Sequence, residues 1–205
     1  RYASFYASAD YYLGKSIVLN ASFRTDGSSN FGSNRQFNPT WSAGAAWHIG
    51  EEKWMKKALP AISHATLRAA YGFTGDVNTS TSHLLVIQYL QQQYRYFGDE
   101  TFNLGTIPSA PNPDLGWEKT SDAKAGLDLG LWKDRLNINA EYYYRLSTDV
   151  VTSSPVQSTT GFTYVYFNAA DIMNSGIELT LNGKVIQTRD WGLTAAVNFA
   201  YNYNK

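Results

Sequence analysis

The sequence predicts an all-β chain, namely an antiparallel up-and-down transmembrane β-barrel segment of about eight strands with long extracellular loops and one short periplasmic helix. Three observations predict it. The first is a hairpin within 115–150. Ala123, Ala125, Leu127, Leu129 and Leu131 alternate with Asp122, Lys124, Gly126, Asp128 and Gly130. After a polar WKDR turn, Leu136, Ile138, Ala140, Tyr142 and Tyr144 alternate with Asn137, Asn139, Glu141, Tyr143 and Arg145. Successive strand side chains point to opposite faces, so each arm has one apolar and one polar face. Both arms outrun the roughly five to six residues of an ordinary strand. The second observation is that short and long connections alternate along the chain, which in a meander gathers the long loops at one rim. The third is that the apolar faces end in large aromatics at both rims, as interfacial girdles do.

The elements follow in order. A first strand at about 2–13 sets Phe5, Ala7, Ala9, Tyr11 and Leu13 against Ser4, Tyr6, Ser8, Asp10 and Tyr12. After the turn at 14–16, a second at about 16–26 sets Ile17, Leu19, Ala21 and Phe23 against Val18, Asn20, Ser22, Arg24 and Asp26. The polar stretch DGSSNFGSNRQFNP reads as a long loop. The third strand, about 40–49, carries Trp41, Ala43, Ala45, Trp47 and Ile49 on its apolar face. Residues 51–58, EEKWMKKA, form the one helical piece, with acids in the first turn, lysines in the last and Pro60 as a stop. A fourth strand, about 65–74, sets Leu67, Ala69, Tyr71 and Phe73 against Arg68 and Thr74.

Residues 75–114 form the longest connection, aromatic in the middle, and connections of that length are usually functional or disordered. The opening hairpin supplies strands five and six. Another long loop is expected over 151–171, then strand seven at about 173–185 and strand eight from Trp191 to the end. Near the long-loop rim lie Phe23, Trp41, Phe73, Tyr144, Tyr201 and Tyr203. Near the short-turn rim lie Tyr11, Trp47, Trp132 and Trp191. The membrane girdle is therefore expected at Phe23, Trp41, Trp47, Phe73, Trp132 and Trp191.

Bulk properties narrow the field. Lys+Arg and Asp+Glu both number 17 among 205 residues, so no net charge recruits nucleic acid. There is no cysteine, which removes disulfides and thiolate sites. The longest aliphatic run is Leu84-Leu85-Val86-Ile87, far below the roughly 20 residues of a spanning helix. Both ends read as mid-strand, so the chain is expected to be a segment of something longer. Alternation alone leaves a soluble β-sandwich open, since a sandwich also hides one face of each strand.

Several stretches carry a resemblance: FRTDGSSNFG (23–32), WSAGAAWHIGEEKWMK (41–56), LRAAYGFTG (67–75), the run from Asn112 to Val151, and NSGIELTLNGKV (174–185). In order and spacing the chain resembles the C-terminal part of the barrel in SusC/RagA-like TonB-dependent outer-membrane transporters. The resemblance implies a parent with a 22-stranded barrel and an N-terminal plug, in the outer membrane of a Gram-negative, Bacteroidetes-like bacterium. It also implies a SusD-like surface lipoprotein as partner, energy delivered through the TonB complex, and import of oligosaccharides or peptides. The plug, TonB box and barrel closure have no counterpart here, so residues 1–205 are expected to be a partial barrel domain.

Chemistry is sparse. His48, His64 and His83 are isolated, and His48 reads as polar lining rather than a metal ligand. Asp99, Glu100, Asp114 and Glu118 could in principle pair for glycoside hydrolysis, and Asp76 and Asp99 could meet calcium. All of these lie in or beside one loop, where solvated acids are ordinary. Neither an enzyme nor a cofactor is expected. The candidates for substrate binding are aromatic: Tyr89, Tyr94, Tyr96 and Phe97 in the first long loop, and Phe162, Tyr164 and Tyr166 in the second. Flat rings beside amides and acids suit sugar faces or a peptide backbone, and the same rings could instead pack the loops together. Arg24, Asp26, Arg68, Lys124, Asp128 and Glu178 are expected to line the inner wall. Two alternatives stay open, a soluble β-sandwich that binds glycans and a siderophore- or cobalamin-type receptor barrel.

Overall fold

The computed structural model describes residues 2–28, 37–76, 84–95, 101–107 and 109–205. Eight long strands form one antiparallel sheet: β1 (Tyr2–Leu13), β2 (Ile17–Ser28), β3 (Phe37–Trp47), β4 (Ile62–Asp76), β8 (Glu118–Leu131), β9 (Leu136–Pro155), β10 (Tyr164–Gln187) and β11 (Gly192–Asn204). Each is bonded to its sequence neighbour, so the path is a meander, and β1 and β11 remain its two unpaired edges. Between β4 and β8 lie a separate hairpin of β5 (Gln88–Arg95) and β6 (Thr101–Thr106), and β7 (Ser109–Ala110), which pairs in parallel with β10.

The register explains why the two sequence faces stay apart. One ladder row reads Tyr11, Leu19, Ala45, Ala69, Ala125, Tyr142, Ile177 and Tyr201 from β1 to β11. The next reads Leu13, Ile17, Trp47, Leu67, Leu127, Ala140, Leu179 and Phe199. A slip of one residue would send every one of these to the other face, so burial of one face fixes the register. No second layer covers this apolar face among the described residues: Leu19 is 41% exposed, Val197 60% and Phe199 58%. The accessible surface is 14707 Å² for a 22.9 kDa chain, whereas a compact water-soluble monomer of that mass would expose roughly 9600 Å². A soluble sandwich would have closed over this face. The structure therefore does not have the sandwich architecture.

Three expectations are corrected. The long loop over 151–171 is mostly ladder, since β9 runs on to Pro155 and β10 begins at Tyr164, with Pro155 and Tyr164 as partners. Thr, Val, Tyr and Phe over this stretch are good strand formers, and Pro155 falls at the end of β9, where the ladder tolerates it. The 75–114 connection likewise holds β5, β6 and β7. Finally, the acids do not sit within the helix. Glu51 closes a 3-10 turn at Ile49–Glu51, Glu52 is the N-cap without a side-chain cap, and α1 is Lys53–Ala58. Ile49 and Ala65 form a small buried contact where this connection meets β4. Gly50 permits it, because a Cβ there would lie 2.7 Å from the Ala65 nitrogen.

Candidate functional site

On the polar face, cross-strand neighbours build a charged network. Arg68 of β4 meets Asp128 of β8 at 2.8 Å and Glu141 of β9 at 3.9 Å, while Lys124 reaches Glu141 at 3.8 Å. One row further on, Arg145 meets Asp122 at 2.7 Å. Arg68, Gly126, Glu141 and Glu178 are successive partners across four strands. Gly126 is why Arg68 can span β8 to reach β9: a Cβ there would lie 3.2 Å from the guanidinium. Around it Asn20, Gly44, Ala46, Ala70 and Lys124 frame a shallow depression of about 190 Å³. Glu178 is opposite Glu141 in register and makes no ion pair among the described residues. The charged side chains are roughly 30–50% exposed, so each pair contributes at most about 1 kcal/mol. Such a face can bind a polar partner through many weak contacts.

At the opposite end of the strands from α1, the segment before β8 is latched onto the β9–β10 ladder. The Asn168 amide accepts from Gly116 N–H at 2.8 Å and donates to the carbonyls of Gly116 and Asp149 at 3.0 and 2.7 Å. Asn112 donates to the Tyr166 carbonyl at 2.8 Å, and the Glu118 carboxylate accepts from Val151 N–H at 2.9 Å. Leu115 is 1% exposed and Trp117 8%, the former being the most deeply buried large side chain described. The latch sits where the ladder is irregular. Register shifts fall between Asn168 and Ala170 and between Ala170 and Ile172, and Asp149 has φ 58° with its carboxylate 2.7 Å from Lys119. Beside the irregularity, the Asp149 carbonyl and the Val151 N–H find partners in the Asn168 and Glu118 side chains. Of these residues only Glu118, weighed for glycoside hydrolysis, and Tyr166, a substrate-binding candidate, were singled out from the sequence, and neither for this contact. The available signal was NPD followed by LGW, a turn signature leading into an apolar pair within a polar stretch.

The sequence candidates fall as follows. Arg68, Lys124 and Asp128 are brought together in the network above, with Glu178 beside it. Arg24 and Asp26 pair with each other at 2.7 Å toward the latched rim, and Ser4 also donates to Asp26. Tyr164 and Tyr166 pack edge to face with ring centroids 5.2 Å apart, on β10 rather than in a loop; Phe162 is half-buried in the turn before it. Tyr89 is 70% exposed on β5, and Tyr94 is opposite Phe102 in the β5–β6 hairpin. Tyr96, Phe97, His83, Asp99 and Glu100 lie outside the described residues. Phe23, Trp41 and Phe73 are successive partners on the apolar face toward the latched rim. Trp47, Trp132 and Trp191 lie at the other rim, 38%, 58% and 78% exposed. His48 hydrogen-bonds Thr66 at 3.0 Å and His64 meets Asp134 at 2.9 Å.

Comparison with known proteins covers the whole chain. The family described as TonB dependent receptor-like, beta-barrel, matches residues 1–205. A TonB-dependent receptor of Formosa agariphila is 32% identical over 203 residues, 99% of this chain and 19% of that protein. The TonB-dependent receptor SusC of Bacteroides thetaiotaomicron is 30% identical over 207 residues, 98% of this chain and 20% of its own length. The solved RagAB peptide transporter superposes with a TM-score of 0.82 at 31% identity, covering 100% of this chain and 22% of that one. The siderophore receptor PirA of Pseudomonas aeruginosa reaches a TM-score of 0.67 at 14% identity, which is a likeness of fold. The chain thus spans about a fifth of the length of the curated relatives it matches.

Proposed function

The chain belongs to the TonB-dependent receptor-like β-barrel family, and on that premise we propose that it is a stretch of barrel wall in an outer-membrane importer of oligosaccharides or peptides. The parent works with a SusD-like surface lipoprotein and draws energy through TonB. The observation that carries this reading is the eight-strand register, which keeps one uncovered apolar face apart from one charged face. Outward-apolar and inward-polar alternation is what a hydrated barrel interior in a bilayer requires. The two unpaired edges at β1 and β11 then continue into further strands of the parent, since every backbone group at membrane depth needs a partner. On this reading the latched end is extracellular and the end bearing α1 is periplasmic. Tyr164, Tyr166, Phe162 and Tyr89, with Tyr94, Tyr96 and Phe97, contribute to the substrate- and lipoprotein-facing rim. Arg24, Asp26, Arg68, Lys124, Asp128 and Glu178 line the lumen, and Phe23, Trp41, Trp47, Phe73, Trp132 and Trp191 form the girdles.

The experiment is uptake by cells that make or lack the full-length parent, using fluorescent oligosaccharides and peptides, with and without TonB. Energy-dependent uptake that disappears with the parent, together with a lipoprotein that co-purifies with it in detergent, supports the proposal. Uptake that is unchanged in its absence refutes it.

A further inference from the structure

The neutral net charge conceals a polarity along the strands. Of the wall and the latched rim, Arg24, Arg68, Lys119, Lys124 and Arg145 are each ion-paired, with Lys205 just after β11 the exception among the described residues. The α1 rim differs. There the β1–β2 turn and the α1 connection bring Lys15, Lys53, Lys56 and Lys57, of which only Lys56 is paired, at 2.8 Å from Glu51. The β8–β9 and β10–β11 turns bring Lys133, Arg135, Lys184 and Arg189, and none of these makes an ion pair among the described residues. Lys184 belongs to this rim because its N–H donates to the Arg135 carbonyl at 2.7 Å. Eight of the 17 basic residues thus gather here, against Glu51, Glu52, Asp134 and Asp190.

The same rim holds Trp47, Trp54, Trp132 and Trp191, four of the six tryptophans, all exposed. Trp47 is on the apolar face, and its indole N–H donates to Glu52 at 3.4 Å, which sets α1 against the edge of that face. Exposed indoles flanked by unpaired cations, at the border of an uncovered apolar band, are the chemistry of a bilayer interface with anionic headgroups.

We propose that the α1 rim is a docking surface for anionic phospholipid of the adjoining leaflet, with phosphatidylglycerol-type headgroups held by Lys15, Lys53 and Lys57 on one side. On the other side the headgroups are held by Lys133, Arg135 and Arg189 of the turns, whereas Lys184, in register with Thr194, belongs to the polar face. The inference rests on the barrel reading above, which makes that leaflet the periplasmic one. Each basic residue near such a surface contributes roughly a fivefold gain in affinity, and the contribution shrinks with salt.

The test uses the full-length parent in nanodiscs of phosphatidylethanolamine with graded phosphatidylglycerol. Retained lipid is counted by native mass spectrometry, and folding is scored by the boiled-against-unboiled gel shift. The expected result is selective retention of phosphatidylglycerol that weakens at least tenfold in the variant K15Q/K53Q/K57Q/K133Q/R135Q/R189Q. K119Q at the opposite rim should leave it unchanged. If the six-fold variant does not fold, K15Q/K53Q/K57Q serves, with a smaller loss expected. Equal retention of both lipids, or equal retention by variant and wild type, would overturn the inference while leaving the barrel reading intact. Failure of the wild type to insert into any bilayer would overturn both.

Discussion

Replacing Leu179 by Arg should separate the two faces of β10 in one experiment. Leu179 is midway along the stretch of β10 that pairs with both neighbours, between Ala140 of β9 and Phe199 of β11 on the uncovered apolar face. Its chain neighbour Thr180 points to the polar face between Asn139 and Asn198, two residues along the chain from Glu178. An arginine on the lipid side at the bilayer midplane costs about 2–4 kcal/mol, whereas lumenal changes tune selectivity at little cost. At about 1.4 kcal/mol per decade, that is from roughly thirty-fold to several hundred-fold in the folding equilibrium. Thr180→Arg should stay within about 0.5 kcal/mol of wild type. The assay is urea unfolding of the full-length parent in phosphatidylcholine vesicles, followed by tryptophan fluorescence. Equal destabilisation by the two arginines would refute the assignment of faces, and a larger loss from Thr180→Arg would invert it.

Three further outcomes are expected. Leu115→Ala should cost about 2–5 kcal/mol for a buried leucine, and Asn168→Ala about 1–3 kcal/mol by leaving the Gly116 and Asp149 backbone groups unpaired. Both should raise proteolytic nicking between β4 and β8 while the gel shift of the barrel persists, and unchanged nicking would contradict the latch. Gly176→Val should destabilise by about 1–3 kcal/mol, since an added Cβ would lie 2.6 Å from the Tyr143 hydroxyl, which donates to Asn202. Gly192→Ala, with open space around it, should be near neutral in the same unfolding assay. The Lys56 ammonium holds the Glu51 carboxyl below its ordinary range. The pair's contribution is therefore complete above that range and fades as pH falls through the lowered value. An isotope-edited carboxylate titration should place Glu51 below the ordinary 4.5, with K56Q moving it back up.

How much was legible follows from period and context. Strict alternation along 122–131 and 136–145 fixed both the strands and their faces, because a period of two survives any tertiary environment that buries one side. That is why Arg68, Lys124 and Asp128 were placed on one face without coordinates, and why Glu141, the register partner of Gly126 on that face, completes the network. The outer halves of β9 and β10 were read as loop. There the alternation breaks at Asp149 with its positive φ and at the shifts near Asn168 and Ala170, and Ser and Pro dominate the local signal. The latch depends on Asn168 meeting Gly116 from 52 residues away, a contact that no local pattern encodes. The same limit applies to the Arg68 span across Gly126. A lone glycine in a strand reads as weakness until the neighbouring side chain is seen to need its space.

The central claim is that β8 separates lipid from a hydrated lumen. This stretch has no cysteine, so single cysteines at successive positions 122–131 of the full-length parent can each carry a spin label without background from it. Collision with membrane-dissolved oxygen and with a water-soluble nickel chelate is then measured in bilayers. The account predicts oxygen-dominated collisions at 123, 125, 127 and 129 and chelate-dominated collisions at 122, 124, 126 and 128. Protection of the odd positions from both reagents, or access of the chelate to both sets, would contradict it.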